Sequence, residues 1–100
     1  MKLNPKLDFT EISKLFDMLV EAEIPCELRH LHDGLQVSYP DTENCICDAI
    51  CLSGSYGCDS GLLEIMGLVN EEEVGDSVEG YLTAAEVFER IKEHYSHFWC

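Results

Sequence analysis

The chain has 100 residues, of which 20 are Asp or Glu and only 6 are Lys or Arg, so its formal net charge is -14. This charge argues against direct binding to nucleic acid or to an anionic membrane, because both depend on basic side chains that neutralise phosphates. The length and the 46% of hydrophobic residues exclude a disordered chain and predict one globular domain over residues 1–100.

The N-terminal third of the chain predicts a helix followed by a β-hairpin. Apolar residues recur at helical spacing from residue 9 to residue 20, which predicts a helix from Asp8 to about Ala22. Asp8 and Glu11 have the spacing of a capping box at its start. Because Pro25 excludes a continued helix, the segments CELRHL and LQVSYP are predicted as two short strands.

The hairpin turn predicts which residues of these two strands share a face. Asp33-Gly34 is typical of a two-residue hairpin loop, and this loop would pair His32 with Leu35. The resulting register places four apolar residues on one predicted core face: Leu28, Leu35, Val37 and Tyr39.

The middle of the chain predicts a third strand and a short helix. CICDAICLS, residues 45–53, alternates as a strand antiparallel to the second. Leu62 to Met66 is predicted to be a short helix that ends at Gly67. The acidic stretch NEEEVGDSVEG, residues 70–80, is predicted to be a solvated loop.

The C-terminal segment predicts a long amphipathic helix. Thr83 and Glu86 form a capping-box pattern, and an apolar stripe follows at helical spacing. The predicted fold is therefore a single α+β domain, in which an N-terminal helix, a short helix and a long C-terminal helix pack on a three-stranded antiparallel sheet.

Four cysteines between residues 45 and 58 suggest a metal site at first sight. Their spacing, C-x-C-x3-C-x6-C, is not that of a zinc finger. On one strand, a rise of about 3.3 Å per residue separates Cys45 from Cys51 by roughly 20 Å, too far for one tetrahedral ion. These cysteines are therefore predicted to pack as small apolar residues, and no metal or other cofactor is predicted.

A cysteine-dependent enzyme is a further hypothesis. Cys58 lies in a Gly-rich loop before the predicted short helix, and a helix N-terminus lowers the pKa of a thiol. None of the four histidines has a signature spacing to a cysteine. A non-enzymatic function is therefore predicted ahead of catalysis.

The loop SGSYGCDSG, residues 53–61, is the candidate site for a small ligand or nucleotide. It lacks the lysine of a phosphate-binding P-loop and does not match the dinucleotide-binding pattern. Its polar side chains, together with one tyrosine, could still hydrogen-bond a ligand: Tyr39, Ser53, Ser55, Tyr56, Cys58 and Ser60.

The acidic stretch is the candidate surface for a protein partner. Its carboxylates do not follow the calcium-binding pattern of an EF-hand. Either it is simply solvated, or it forms a negative face that docks on a basic protein surface. The predicted contact residues are Glu71, Glu72, Glu73, Asp76 and Glu79.

The segments ICLSGSYGCDSGLLEIMGL and VEGYLTAAEVFERIKEHY, preceded by VSYP, resemble short uncharacterised proteins encoded on phages and conjugative elements of anaerobic gut bacteria. The resemblance covers roughly residues 25–95 and brings no known activity or functional residues. It implies an accessory protein of a mobile element, a class that includes inhibitors of host defence systems. The predicted partner is then a host protein with a basic surface, such as a nucleic-acid-binding cleft.

The N-terminus, MKLNPKLDFTEISKL, has no apolar core of a signal peptide, and the apolar runs of the chain are short. A cytoplasmic location with reduced cysteines is therefore predicted. Homo-oligomerisation is left open by the sequence.

Overall fold

The computed structural model describes residues 2–69 and 78–99 of the chain. It confirms a single α+β domain with an antiparallel sheet, but the sheet has five strands rather than three, in the order β1-β2-β3-β4-β5. The elements in chain order are α1 (Thr10–Glu21), β1 (Glu27–Leu31), β2 (Gly34–Tyr39), β3 (Cys47–Cys51), β4 (Leu63–Met66), β5 (Val78–Leu82) and α2 (Ala84–Trp99).

The predicted short helix at residues 62–66 is wrong, because this segment is strand β4. Leu63 and Ile65 are fully buried on one face of β4, whereas Glu64 and Met66 lie on the other. Such alternation has the two-residue period of a strand, but four residues are too few to separate it from a helical period in the sequence. The glycines on either side suit both structures.

The prediction of a solvated loop over residues 70–80 is also wrong at its C-terminal end, where β5 begins at Val78. β5 pairs antiparallel with β4, with a register shift between Leu63 and Ile65. The hydrogen bonds of the neighbouring strand stabilise a segment whose own composition favours a loop. Residues 70–77 of the predicted loop lie outside the described residues.

The hairpin between β1 and β2 forms with a shifted register. His30 pairs with Leu35 and Leu28 with Val37, so the two-residue loop is His32-Asp33 rather than Asp33-Gly34. His32 has a positive φ of 55°. Each residue of β1 therefore pairs with the β2 residue two positions before the predicted one, so the residues predicted for the core face still share a face. Leu35, Val37 and Tyr39 belong to the core, but the prediction is wrong for Leu28, which is 38% exposed on the edge strand β1.

The two helices are held at their N-termini in different ways. The predicted capping box of α2 forms, since Glu86 accepts the Thr83 N–H at 2.9 Å and Thr83 Oγ1 accepts the Glu86 N–H at 3.2 Å. The one predicted for α1 forms only in part. Asp8 accepts the Thr10 N–H at 2.9 Å, but Glu11 instead accepts the Ala84 N–H of α2 at 2.7 Å.

The core lies between one face of the sheet and the two helices, which contact each other. Alternate residues of β2, β3 and β4 point into it, together with the apolar stripes of α1 and α2. We call the opposite side of the sheet the open face. The fully buried side chains of the core include Ile12, Leu15, Leu19, Tyr39, Leu63 and Ile65.

Candidate functional site

The serines of the Gly-rich loop make hydrogen bonds within the loop and to the adjoining hairpin. Ser55 Oγ donates to the carbonyl of Leu52 at 2.7 Å and accepts the Leu52 N–H at 3.2 Å. Ser53 donates its hydroxyl to Asp33, which also accepts the Ser53 N–H at 3.0 Å. Asn4 donates to Ser53 Oγ at 3.1 Å. These contacts close a turn and tie it to the β1-β2 hairpin.

Tyr56 attaches the loop to β4 and β5, on the opposite side of β3 from the β1-β2 hairpin. The Tyr56 N–H donates to Glu64 at 2.8 Å, and the Tyr56 carbonyl accepts the Tyr81 N–H of β5 at 3.2 Å. Cys58 and Ser60 bound a three-residue 3-10 turn. Because β4 follows this turn, Cys58 does not precede a helix N-terminus, which was the reason for predicting an activated thiol there.

Tyr39 lies far from the Gly-rich loop with which the ligand-site prediction grouped it. It pairs with Cys47 at one end of β2, whereas Leu35 pairs with Cys51 at the end nearer the loop. Four residues of strand separate the two ends by about 13 Å. The Tyr39 ring is fully buried, with its hydroxyl 2.7 Å from Nδ1 of His94. The six predicted ligand residues therefore do not form one site.

Of the predicted acidic contact residues, only Glu79 lies within the described residues. Glu71, Glu72, Glu73 and Asp76 lie outside them. Glu79 accepts two hydrogen bonds from the guanidinium of Arg90, at 2.7 and 2.9 Å. These bonds raise the pKa of Arg90. Glu79 thus links β5 to α2, and its charge is compensated within the protein.

An acidic surface that the sequence-based predictions do not include lies on α2. Glu86, Glu89 and Glu93 are exposed and share one side of the helix. We call them the α2 acidic stripe. They line a shallow groove of about 440 Å³ with Ala85 and Arg90. Their i, i+3, i+7 spacing was the available signal, but such spacing is common on any solvated helix.

The open face carries a hydrogen-bonded network across three strands. Arg29 Nε donates to Gln36 Oε1 at 2.6 Å, and Gln36 Nε2 donates to Asp48 Oδ2 at 2.6 Å. Both bonds form only with this orientation of the Gln36 amide, so the two neighbours determine it. Asp48, whose position on an apolar strand required a partner, finds it in Gln36.

A cavity of about 430 Å³ lies beside this network, and we call it the open-face cavity. Two hydroxyls on its wall are buried, that of Ser38 beside the Cys45 thiol and that of Thr42 beside the Glu27 carboxylate. Hydrogen bonds from the backbone and the side chain of Thr42 lower the pKa of Glu27. Ser38 is 1% exposed.

Two of the five cysteines that the structure describes, Cys47 and Cys51, lie in the sheet. Burial raises the pKa of Cys47 to about 12 and that of Cys51 to about 11. Cys45 lines the open-face cavity, where burial and then the charge of Asp48 raise its pKa. Among residues 2–69 and 78–99, no three His, Cys, Asp or Glu side chains are placed to hold one metal ion.

No protein-family model, curated protein or solved structure matches this chain. In the part of the chain that the structure describes, neither helix is long and apolar enough to cross a membrane. The features of the molecule that bear on its function are therefore the charge of the chain, the α2 acidic stripe and the open-face cavity.

Proposed function

We propose that this protein is a non-enzymatic binding protein that docks on a basic protein surface through its acidic surface. The observation that carries the proposal is the α2 acidic stripe, three exposed carboxylates on one side of a helix in a chain of net charge -14. Charge of one sign on such a surface attracts a partner of the opposite sign and speeds its association.

The distribution of the basic residues supports this proposal. Of the two arginines, Arg90 is paired with the carboxylate of Glu79, whereas Arg29 donates to the neutral amide of Gln36 and keeps its charge. The other basic residues are four lysines, so little positive charge opposes the carboxylates of the surface. The acidic run at residues 71–76 precedes β5 in the sequence and adds four carboxylates to the proposed contact surface.

In its concrete form the proposal describes an inhibitor carried by a mobile element. It would act in the cytoplasm on a host protein and occupy a basic cleft that otherwise binds nucleic acid, with no direct contact to nucleic acid. The resemblance of residues 25–95 to phage and conjugative-element proteins motivates this context. A carboxylate surface competes for such a cleft because it offers negative charge in place of phosphates.

The test measures binding to an immobilised basic DNA-binding domain, over a range of salt concentrations and with a short DNA duplex as competitor. One variant carries Glu86→Gln, Glu89→Gln and Glu93→Gln. A second neutralises Glu71, Glu72, Glu73 and Asp76. Each is expected to associate about ten-fold more slowly, with a weaker dependence on salt, because screening then has fewer charges to act on.

A matched control removes three exposed carboxylates elsewhere: Asp17→Asn, Glu21→Gln and Glu43→Gln. It changes net charge as much as the stripe variant does, and a smaller effect is expected from it. Glu79 is left intact because its loss would leave the guanidinium of Arg90 without its carboxylate partner. The proposal is overturned if the unmodified protein does not bind at low salt, or if both acidic variants behave like the control.

A further inference from the structure

The outer edge of β1 is an unprotected sheet edge. β1 lies at one end of the sheet and pairs with β2 alone among the described strands. Its residues from Glu27 to His30 are all exposed, and no proline or bulge interrupts its register with β2. Proteins usually protect such an edge with a proline, a bulge or a covering segment, because its free backbone groups otherwise pair with another chain.

The other edge strand, β5, is protected in this way. Its pairing with β4 shifts in register between Leu63 and Ile65, and Tyr81 has a positive φ of 61°. The Tyr81 N–H already donates to the carbonyl of Tyr56 at 3.2 Å. Such an irregular strand lacks a row of evenly spaced free groups. A further strand would therefore add at β1 rather than at β5.

The hairpin determines which backbone groups of β1 point outward. Leu31 and Gly34 flank the two-residue loop and form the hydrogen-bonded pair that closes it. Because hydrogen-bonded pairs alternate with non-bonded pairs along an antiparallel ladder, Arg29 also bonds to β2, whereas Leu28 and His30 do not. The N–H and carbonyl groups of Leu28 and His30 therefore point away from the sheet.

The charges of β1 are complementary to those of a second β1 in one register. Glu27 and Arg29 are two residues apart, so both side chains lie on the open face. When two β1 strands pair antiparallel about Leu28, each Glu27 lies opposite the Arg29 of the other copy. Pairing about Arg29 would instead place the two guanidinium groups opposite each other, which is destabilising.

Both charged groups have unused capacity for this contact. Arg29 donates to Gln36 through Nε, which leaves its two terminal nitrogens as the fork that binds a carboxylate. Glu27 accepts the Thr42 N–H at 3.0 Å through one oxygen, and a carboxylate can accept about four bonds. Since Arg29 of the same copy also acts on Glu27, the pairing brings together four charges of alternating sign.

We propose that two copies of this chain pair antiparallel through β1, centred on Leu28, and form one ten-stranded sheet. The two Leu28 residues exchange a pair of backbone hydrogen bonds, and each His30 bonds in the same way to Cys26 of the other copy. The Leu28 side chain, 38% exposed in one copy, packs against its equivalent. This surface does not include the α2 acidic stripe, so the inference is independent of the function proposed above.

The net charge of -14 on each copy does not exclude this pairing. At 0.15 M salt, charges more than about 8 Å apart are largely screened, whereas opposite charges in contact are screened much less. A strand pair of five residues buries less area than a standard interface. A weak dimer is therefore expected, half-formed at a chain concentration of roughly 0.1–1 mM.

The experiment measures self-association of the full chain by sedimentation equilibrium, from about 10 μM to about 2 mM at physiological salt. Glu27→Arg and Arg29→Glu each place like charges opposite each other, so each should weaken self-association at least about ten-fold. An equimolar mixture of the two variants should form a heterodimer about as tightly as the unmodified chain self-associates. In that mixture each carboxylate again lies opposite a guanidinium.

Two controls and a second measurement locate the interface. Asp17→Arg and Lys14→Glu, at exposed positions of α1, change the net charge by the same amounts and should self-associate like the unmodified chain. In hydrogen exchange, the amide of Leu28 should gain protection as the chain concentration rises, because it becomes bonded only in the dimer. The amide of Arg29 already bonds to β2, so its protection should stay nearly constant.

Three results would overturn the proposal. The first is a chain that stays monomeric up to about 2 mM. The second is a dimer that both charge variants leave unchanged, or a mixture of the two variants that does not associate. The third is a dimer in which the amide of Leu28 gains no protection. A charge variant that does not fold is replaced by Leu28→Pro, which removes a donor that β2 does not use and should abolish the dimer.

Discussion

Gly34 illustrates how a single residue can have a role that its sequence context conceals. The Asp-Gly pair predicts a glycine that supplies turn conformation, but Gly34 is the first residue of β2, after the turn. A Cβ on Gly34 would lie 2.0 Å from the carbonyl oxygen of Cys51 and 2.6 Å from Cβ of Leu52. The glycine is therefore required because the backbone at the end of β3 approaches it closely.

Gly34→Ala is accordingly expected to lower the free energy of unfolding by about 1–3 kcal/mol or more, the usual cost of overpacking. Gly54→Ala is the matched comparison, since that position has open space around it but a φ of +90°. Its expected cost is that of backbone strain alone, about 1–2 kcal/mol. Urea unfolding measures both. A smaller loss for Gly34 than for Gly54 would contradict the close approach.

The buried thiols allow a second prediction at this scale, on pH. Burial raises the pKa of Cys47 to about 12 and that of Cys51 to about 11, from a usual value of 9.0. Both should therefore resist alkylation by iodoacetamide at pH 8 in the folded protein and react after unfolding, which mass spectrometry of the labelled peptides would detect. The exposed Cys45 should be alkylated more rapidly than either, although its own pKa is also raised.

The same shifts determine how stability changes at alkaline pH. In the unfolded chain these thiols lose their protons near pH 9, whereas in the folded protein they keep them to about pH 11 or 12. The folded state then binds more protons, so the free energy of unfolding falls as pH rises above 9. Cys47→Ala should show a shallower fall between pH 9 and 11 in urea unfolding. An equally steep fall would exclude Cys47 as its cause.

At the scale of the elements, the long helices could be predicted from sequence and the last two strands could not. The C-terminal helix α2 has both a capping box and an apolar stripe of several turns, which agree with each other. β4 is four residues long, and β5 owes its structure to pairing with β4. β4 is too short for its two-residue period to be distinguished from a helical one, and the pairing partner of β5 is known only from the tertiary structure.

The candidate sites, like the strands, could be predicted from the sequence only in part. The alternation of Gln36, Ser38 and Asp48 with apolar residues assigns their faces correctly, but not their hydrogen bonds to one another. The contacts of the Ser38 hydroxyl with Cys45 and of the Thr42 hydroxyl with Glu27 are a three-dimensional property, because they depend on how the segment between β2 and β3 lies next to the sheet. The composition of the Gly-rich loop predicts a ligand site there instead. In the structure the hydroxyls of Ser53 and Ser55 bond to Asp33 and to the carbonyl of Leu52, so both serines stabilise turns.

Glu11 connects the two helices, which gives a prediction at this scale. Its carboxylate accepts the N–H of Ala84, so a residue of α1 satisfies a backbone donor at the start of α2. Glu11→Ala should lower the free energy of unfolding by about 0.5–2 kcal/mol, the range found for lost helix caps. Glu21→Ala, at an exposed position of the same helix, should change it by less than about 0.5 kcal/mol.

Hydrogen exchange locates the effect of Glu11→Ala. The amides of the first turn of α2 should lose protection in this variant, whereas those of the last turn of α1 should not. Glu11→Gln keeps an oxygen that can accept the same bond and should retain most of the stability. Uniform loss of protection across the sheet in Glu11→Ala would mean that Glu11 does not act as a cap for α2.

For the molecule as a whole, the net charge of -14 on 100 residues dominates behaviour in solution. Carboxylates that repel one another favour expanded states over the folded one, and 0.1 M salt screens the repulsion between charges more than about 10 Å apart. The thermal midpoint should therefore rise between 10 mM and 500 mM NaCl, as measured by circular dichroism. A protein stabilised mainly by surface ion pairs would respond in the opposite direction.

The variant with Glu89→Gln and Glu93→Gln identifies the source of this salt effect. Both residues are exposed on α2 and close to Glu86, so their neutralisation removes repulsion that salt would otherwise screen. The variant should have a higher midpoint than the unmodified protein at 10 mM NaCl and a smaller gain at 500 mM. Identical salt curves would place the destabilising repulsion elsewhere on the surface. They would also reduce the case for the α2 acidic stripe as the centre of the negative field that attracts a basic partner.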